Sequence, residues 1–141
     1  MRICVIDGQG GGIGSALIKK IKEAFEERVE VIALGTNAIA TAQMMKARAN
    51  RGATGENAVV VTVPHVDVIV GPISIVLANS MMGELTAAMA AAVASSAAAK
   101  FLLPLTQENV EVIGVSPEPL PHLVEHLVEK RLRSLVEKEQ A

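Results

Sequence analysis

The chain has no tryptophan and no tyrosine, and only two phenylalanines and one cysteine among its 141 residues. Without several exposed rings there is no stacking platform for single-stranded nucleic acid, and without tyrosine no mechanism can use a phenol. A single cysteine excludes an internal disulfide. Cys4 stands inside an apolar run, where a free thiol behaves as a small buried hydrophobe. An excess of one charge is missing too. Thirteen Lys and Arg against 15 Asp and Glu leave −2 at pH 7, which gives no broad attraction for nucleic acid or an anionic membrane. The apolar stretches Val59 to Val63 and Val66 to Leu77 are interrupted by Asp67 and turn residues. Neither reaches the ~20 apolar residues that a membrane helix requires. Met1-Arg2 leads directly into a strand-like run with no leader pattern, so a cytoplasmic location is expected.

What is present suits one globular domain over residues 1–141, half apolar and one fifth charged, with a core of aliphatic side chains. Ile3 to Ile6 is a short branched run stopped by Asp7-Gly8, and reads as a buried strand. From Gly14 the period becomes helical, with Leu17, Ile18, Ile21, Ala24 and Phe25 on one face and Lys19, Lys20, Lys22, Glu23 and Glu26 on the other. A second strand, Val29 to Leu34, ends at Gly35. Thr36 or Asn37 then caps a helix that turns Ile39, Ala40 and Met44 inward. Arg51 to Asn57 reads as a loop, Val59 to Val63 as a short helix ending at Pro64, and Val68 to Val70 as a third strand closed by Gly71-Pro72. Thr86 to Ala99 is a helix by alanine propensity. Phe101 to Leu105 and Val110 to Val115 read as strands whose short connection demands an antiparallel hairpin. Pro119 and Pro121 open a last helix with a stripe from Leu123 to Val136, and the tail beyond Glu137 is expected to fray. Strand alternating with helix implies a three-layer Rossmann-like α/β fold. Its sheet should have about five strands, mostly parallel with the antiparallel hairpin at the end, and helices on both faces.

The stretch that carries chemistry is Asp7-Gly8-Gln9-Gly10-Gly11-Gly12-Ile13-Gly14-Ser15. Glycines at a strand-to-helix turn let the backbone approach a ligand, and the helix behind them offers free N–H groups and a positive dipole end to an anion. The strict GxGxxG fingerprint fails at Ile13, and no Lys-Ser or Lys-Thr pair makes a Walker loop. Gly8, Gly12, Ile13 and Gly14 do form GxxxGIG, which resembles the cofactor loop of short-chain dehydrogenases over the first strand, loop and helix. That family's catalytic tyrosine has no counterpart here, so its chemistry is excluded. The second strand ends Leu34-Gly35-Thr36-Asn37, with no acid for a ribose 2′-hydroxyl and no Arg for a 2′-phosphate. A nucleotide or dinucleotide therefore remains possible, while NAD(P) in particular finds no support at that turn. Over nearly its whole length the chain also resembles a bacterial family of short proteins known only as a domain of unknown function. The resemblance is carried by the DGQGGGIG opening, Ala33 to Asn37, Gly52 to Ala58, Val70 to Ile73 and Gly83 to Thr86, and it implies no particular activity.

The expected ligand contacts are Gly8, Gln9, Gly10, Gly11, Gly12, Ile13, Gly14 and Ser15, joined at the same sheet edge by Gly35, Thr36, Asn37 and Gly71. Asn79 and Ser80 could reach this edge, and the Gly52 to Asn57 loop could fold over it. Asp7, Glu56 and Glu84 are the candidate acids. Asp7 could act as a general base or magnesium ligand, or it could simply accept loop N–H bonds and hold the turn. His122 and His126 share a helix face but lack a third ligand, so no metal site is expected. The alanine cluster from Ala87 to Ala99 offers a flat packing or dimer surface, which makes a homo-oligomer the expected state. Three functions fit these features. The foremost is binding of a nucleotide or other phosphate-bearing small molecule, as a sensor or subunit. The second is a small enzyme acting on a phosphorylated substrate through Asp7 or Glu56, and the third is an oligomeric scaffold with no ligand.

Overall fold

A computed structural model describes residues 1–140, and the last residue, Ala141, lies outside the described residues. Five strands form one all-parallel sheet: β1 (Arg2–Asp7), β2 (Glu30–Gly35), β3 (Arg51–Thr54), β4 (Val68–Pro72) and β5 (Ala99–Leu103). Their spatial order is β3-β2-β1-β4-β5, so the chain winds outward from β1 to one side and then crosses to the other. Asp7 stands opposite Gly35, Gly35 opposite Thr54 and Pro72 opposite Leu103, which brings the carboxyl ends of the strands to one edge.

Successive β1 side chains point to opposite faces and feed two separate cores. Ile3 and Val5 pack with Leu17, Ile18, Ile21 and Phe25 of α1 (Gly12–Phe25), with Met44 of α2 (Ala38–Lys46), and with the C-terminal helix. Cys4 and Ile6 pack on the other face with Val59 of α3 (Glu56–Thr62) and with Met89, Ala90 and Val93 of α4 (Ala87–Ser95). The sheet is thus covered on both sides, the arrangement that parallel sheets require. The C-terminal helix is α-helical over Leu120–Glu125, π-helical over His126–Leu132 and α-helical again over Arg133–Gln140. No helix is long and apolar enough to cross a membrane among the described residues.

Several elements differ from the expectation. Arg51–Thr54 is an edge strand rather than a loop, and all four of its residues are exposed. An edge strand wet on both faces shows no apolar period to read. The Asn50 side chain directs this strand: its Oδ1 accepts from Val31 N–H at 2.8 Å and from Lys22 Nζ at 2.7 Å, which draws Lys22 into a buried position instead of the solvated face. The C-terminal hairpin does not form. β5 pairs in parallel with β4 from Ala99 onward, and Val110 to Val115 is exposed irregular chain with Ile113 85 % accessible. α4 ends at Ser95, where Ser96 turns the chain by donating its hydroxyl to Val63 O and accepting from Ala98 N–H. Ile39 is 67 % exposed rather than inward, because α2 uses Ala40 and Met44 to meet the sheet. The final helix runs on through Gln140, past the point where fraying was expected.

Candidate functional site

Asp7 closes β1 and is buried. Its Oδ1 accepts from Gly8 N–H at 2.8 Å and its Oδ2 from Gly14 N–H at 2.6 Å, so one carboxylate spans the turn and stitches the start of α1 to the strand. Burial raises its pKa above the ordinary carboxylate value. The N–H bonds from Gly14, Gly8 and Ile13 act in the opposite direction, and the neighbouring Glu84 charge adds to the rise. Gly11 caps α1 in the left-handed conformation, φ 74°, and a Cβ there would lie 2.9 Å from the Ala40 backbone. A Cβ on Gly14 would stand 2.5 Å from Met44 Sδ and 2.9 Å from Asp7 Cβ. These two glycines let α1 and its loop pack on α2 and β1.

Gly10 and Gly12 differ from them. A Cβ at either position would meet nothing within 4 Å, and neither has a positive φ. Among the described residues, no acceptor within the chain engages the N–H of Gly10 or Gly12. The two exposed N–H groups sit at the positive end of the α1 dipole, where anions are favoured.

Glu84 approaches the loop from the far side of the chain. It follows a segment in which Asn79, Met81, Met82 and Gly83 all have positive φ. Its Oε1 accepts from Thr36 Oγ1 at 2.7 Å, Gln9 N–H at 2.9 Å and Asn37 Nδ2 at 2.9 Å. The Thr36 bond and then the Gln9 bond hold its pKa below the ordinary value, with Asn37 assisting against a smaller effect of burial. Asn37 also donates to Gln9 O at 2.9 Å and caps α2 by accepting from Ala40 N–H at 2.8 Å. Of the two expected caps, Asn37 takes the role, and Thr36 is left free to meet Glu84.

On the other side of Gln9 lies a crevice of about 240 Å³, walled by Asp7 and Ile13, by Ser74 and Met81 after β4, and by Thr106 and Glu108 after β5. It opens between the carboxyl ends of β1 and β4, where the winding direction reverses and open α/β sheets usually hold ligands. Ser74 Oγ donates to Thr106 Oγ1 at 3.0 Å and Ser80 Oγ to Ser74 O at 2.7 Å. Glu108 Oε1 accepts from Met81 N–H at 2.9 Å. Among the described residues, no Lys or Arg lines the crevice.

Of the expected contacts, Gln9, Thr36 and Asn37 meet around Glu84. Ser15 instead donates back to Gly11 O at 2.7 Å. Gly35 and Gly71 are buried, their missing side chains leaving room for Thr41 and for the backbone of Ile6. Glu56 is occupied elsewhere, accepting from Thr86 Oγ1 at 2.6 Å at the N-cap of α4. Ser74, Thr106, Gln107 and Glu108 were not among the candidates. Reading the fifth strand as parallel would have placed the last three at this edge, but the expected hairpin turned them into a simple connection. Among the described residues, no three His, Cys, Asp or Glu side chains group to hold a metal.

The strand order, the glycine turn after β1 and a crevice at the switch point define an α/β domain of the Rossmann type. The chain belongs to the family described as domain of unknown function DUF3842, whose model matches residues 2–136. No curated protein and no solved structure matches it.

Proposed function

We propose that this protein binds a nucleotide, or another small molecule bearing a phosphate, with the phosphate over Gly10 and Gly12 and the remainder at the adjoining carboxyl edge of the sheet. The observation that carries this reading is the pair of glycines with no packing or conformational need for glycine. They leave open space and two unengaged N–H donors at a helix start. Binding by backbone donors and the helix dipole, with no cation in the crevice, suits a sensor or a subunit of a larger system. A catalytic part for Asp7 has less support, since two backbone N–H groups already occupy its oxygens.

The test uses the chain's own composition. With no Trp or Tyr the protein absorbs almost nothing near 280 nm, so a copurified base would dominate its ultraviolet spectrum. If the spectrum is blank, thermal shifts with nucleotides, dinucleotides and sugar phosphates follow. A ligand at about 100 times its Kd adds roughly 2.7 kcal/mol of stability, a rise of several degrees. A blank spectrum and no shift from any phosphate compound at millimolar concentration would leave the scaffold reading ahead. Self-association belongs to the same proposal, because Ala87, Ala88 and Ala91 give α4 an exposed, nearly flat outer face. Light scattering across micromolar concentrations should report a dimer or larger, and a monomer throughout would remove this part.

A further inference from the structure

The turn after β2 carries no acid of its own, yet the fold delivers one to it. Glu84, far along the chain, fixes its Oε1 against the tip of β2 by the Thr36 and Asn37 bonds and against the glycine loop by the Gln9 bond. Three donors on one oxygen set the position of the carboxylate and leave the other oxygen unused. Among the described residues no donor reaches Glu84 Oε2 within hydrogen-bonding distance, and no Lys or Arg forms an ion pair with Glu84. An ionised carboxylate oxygen held this way is an acceptor for hydroxyl groups. In an open sheet of this winding, a ligand whose phosphate sits at the first glycine turn extends its sugar across the end of the neighbouring strand, here β2. Ile39, two residues past Asn37 in the first turn of α2, is 67 % exposed and gives that end an apolar surface.

We infer that Glu84 Oε2 is the acceptor for the vicinal hydroxyls of a ribose, so that the ligand is a ribonucleotide with its 2′- and 3′-hydroxyls free. The inference rests on the nucleotide reading above and narrows it. A 2′-deoxy sugar removes one of the two hydroxyls that the acceptor would hold, and a 2′-phosphate sets two anions together with no cation between them. The acid that the β2 turn lacks in sequence is thereby supplied across the fold.

Glu84→Gln separates this role from a purely structural one. The amide oxygen can keep the three bonds that Oε1 accepts, and only the free oxygen becomes a donor. Calorimetric titration would compare the four ribonucleoside diphosphates with their 2′-deoxy counterparts, with inorganic pyrophosphate as the probe of the loop alone. In the native protein at least one ribonucleotide should bind about tenfold or more tighter than its deoxy form, a difference of about 1.4 kcal/mol. In Glu84→Gln, which should remain folded by circular dichroism, that ratio should fall severalfold, because a ribose hydroxyl accepting from the amide makes a neutral bond in place of the roughly twice stronger charge-assisted one. Equal binding of ribo and deoxy forms by the native protein overturns the inference and leaves the nucleotide reading intact, as does an unchanged ratio in the variant. Absence of binding by every nucleotide and by pyrophosphate at millimolar concentration overturns both.

Discussion

Two carboxylates flank one short loop and titrate in opposite senses. Burial raises Asp7 above its ordinary 3.8, so the folded state favours its protonated form. Stability from this source is present below 3.8 and is lost as pH rises through the raised value. Hydrogen bonds hold Glu84 below its ordinary 4.5, so its contribution is present above 4.5 and is lost as pH falls through the lowered value. Urea midpoints measured against pH should show the native protein's advantage over Glu84→Gln shrinking on acidification. Its advantage over Asp7→Asn should instead widen, and a parallel pair of curves would contradict both assignments. At neutral pH Asp7→Asn should cost about 1–3 kcal/mol, because its amide nitrogen turns a donor toward a backbone N–H. The glycines divide in the same way. Gly11→Ala should cost roughly 1–3 kcal/mol for its left-handed backbone and its approach to Ala40. Gly12→Ala, in open space at the first residue of α1, should hold or slightly raise stability while weakening ligand. Equilibrium unfolding of the two variants checks the contrast.

At the scale of elements, legibility followed burial. β1 and β2 bury nearly every residue and so read as apolar runs ended by Asp7-Gly8 and Gly35. α1 and the C-terminal helix each face one side of the sheet and show the stripe that results. β3 showed nothing because it is an exposed edge placed by a side chain, and Asn50→Ala should loosen it at a cost of about 1 kcal/mol in unfolding free energy. The hairpin was misread because Val110 to Val115 has the branched composition of a strand but lies exposed, and local composition does not report which partner a strand meets. The glycine loop was legible because its parts are adjacent in sequence. Glu84 reaches it across 75 residues at Gln9, and Ser74 meets Thr106 across 32, so that half of the site existed only in the topology. The C-terminal helix closes one core with the fully buried Leu132 in its π-helical stretch. Leu132→Ala should cost about 2–5 kcal/mol, measured by urea unfolding.

In the whole molecule, the central strand β1 lies between two cores and is hydrogen-bonded on both sides, and Asp7 ties the glycine loop to its end. Amide exchange therefore divides the loop against itself. Gly8 and Gly14, bound to Asp7, should exchange only when β1 opens, on the slow scale of global unfolding. Gly10 and Gly12 should exchange at nearly the rate of a free peptide. A ligand seated over the loop would slow those two amides and leave the slow pair almost unmoved, so its footprint could be read from two resonances with Gly8 and Gly14 of the same loop as the reference.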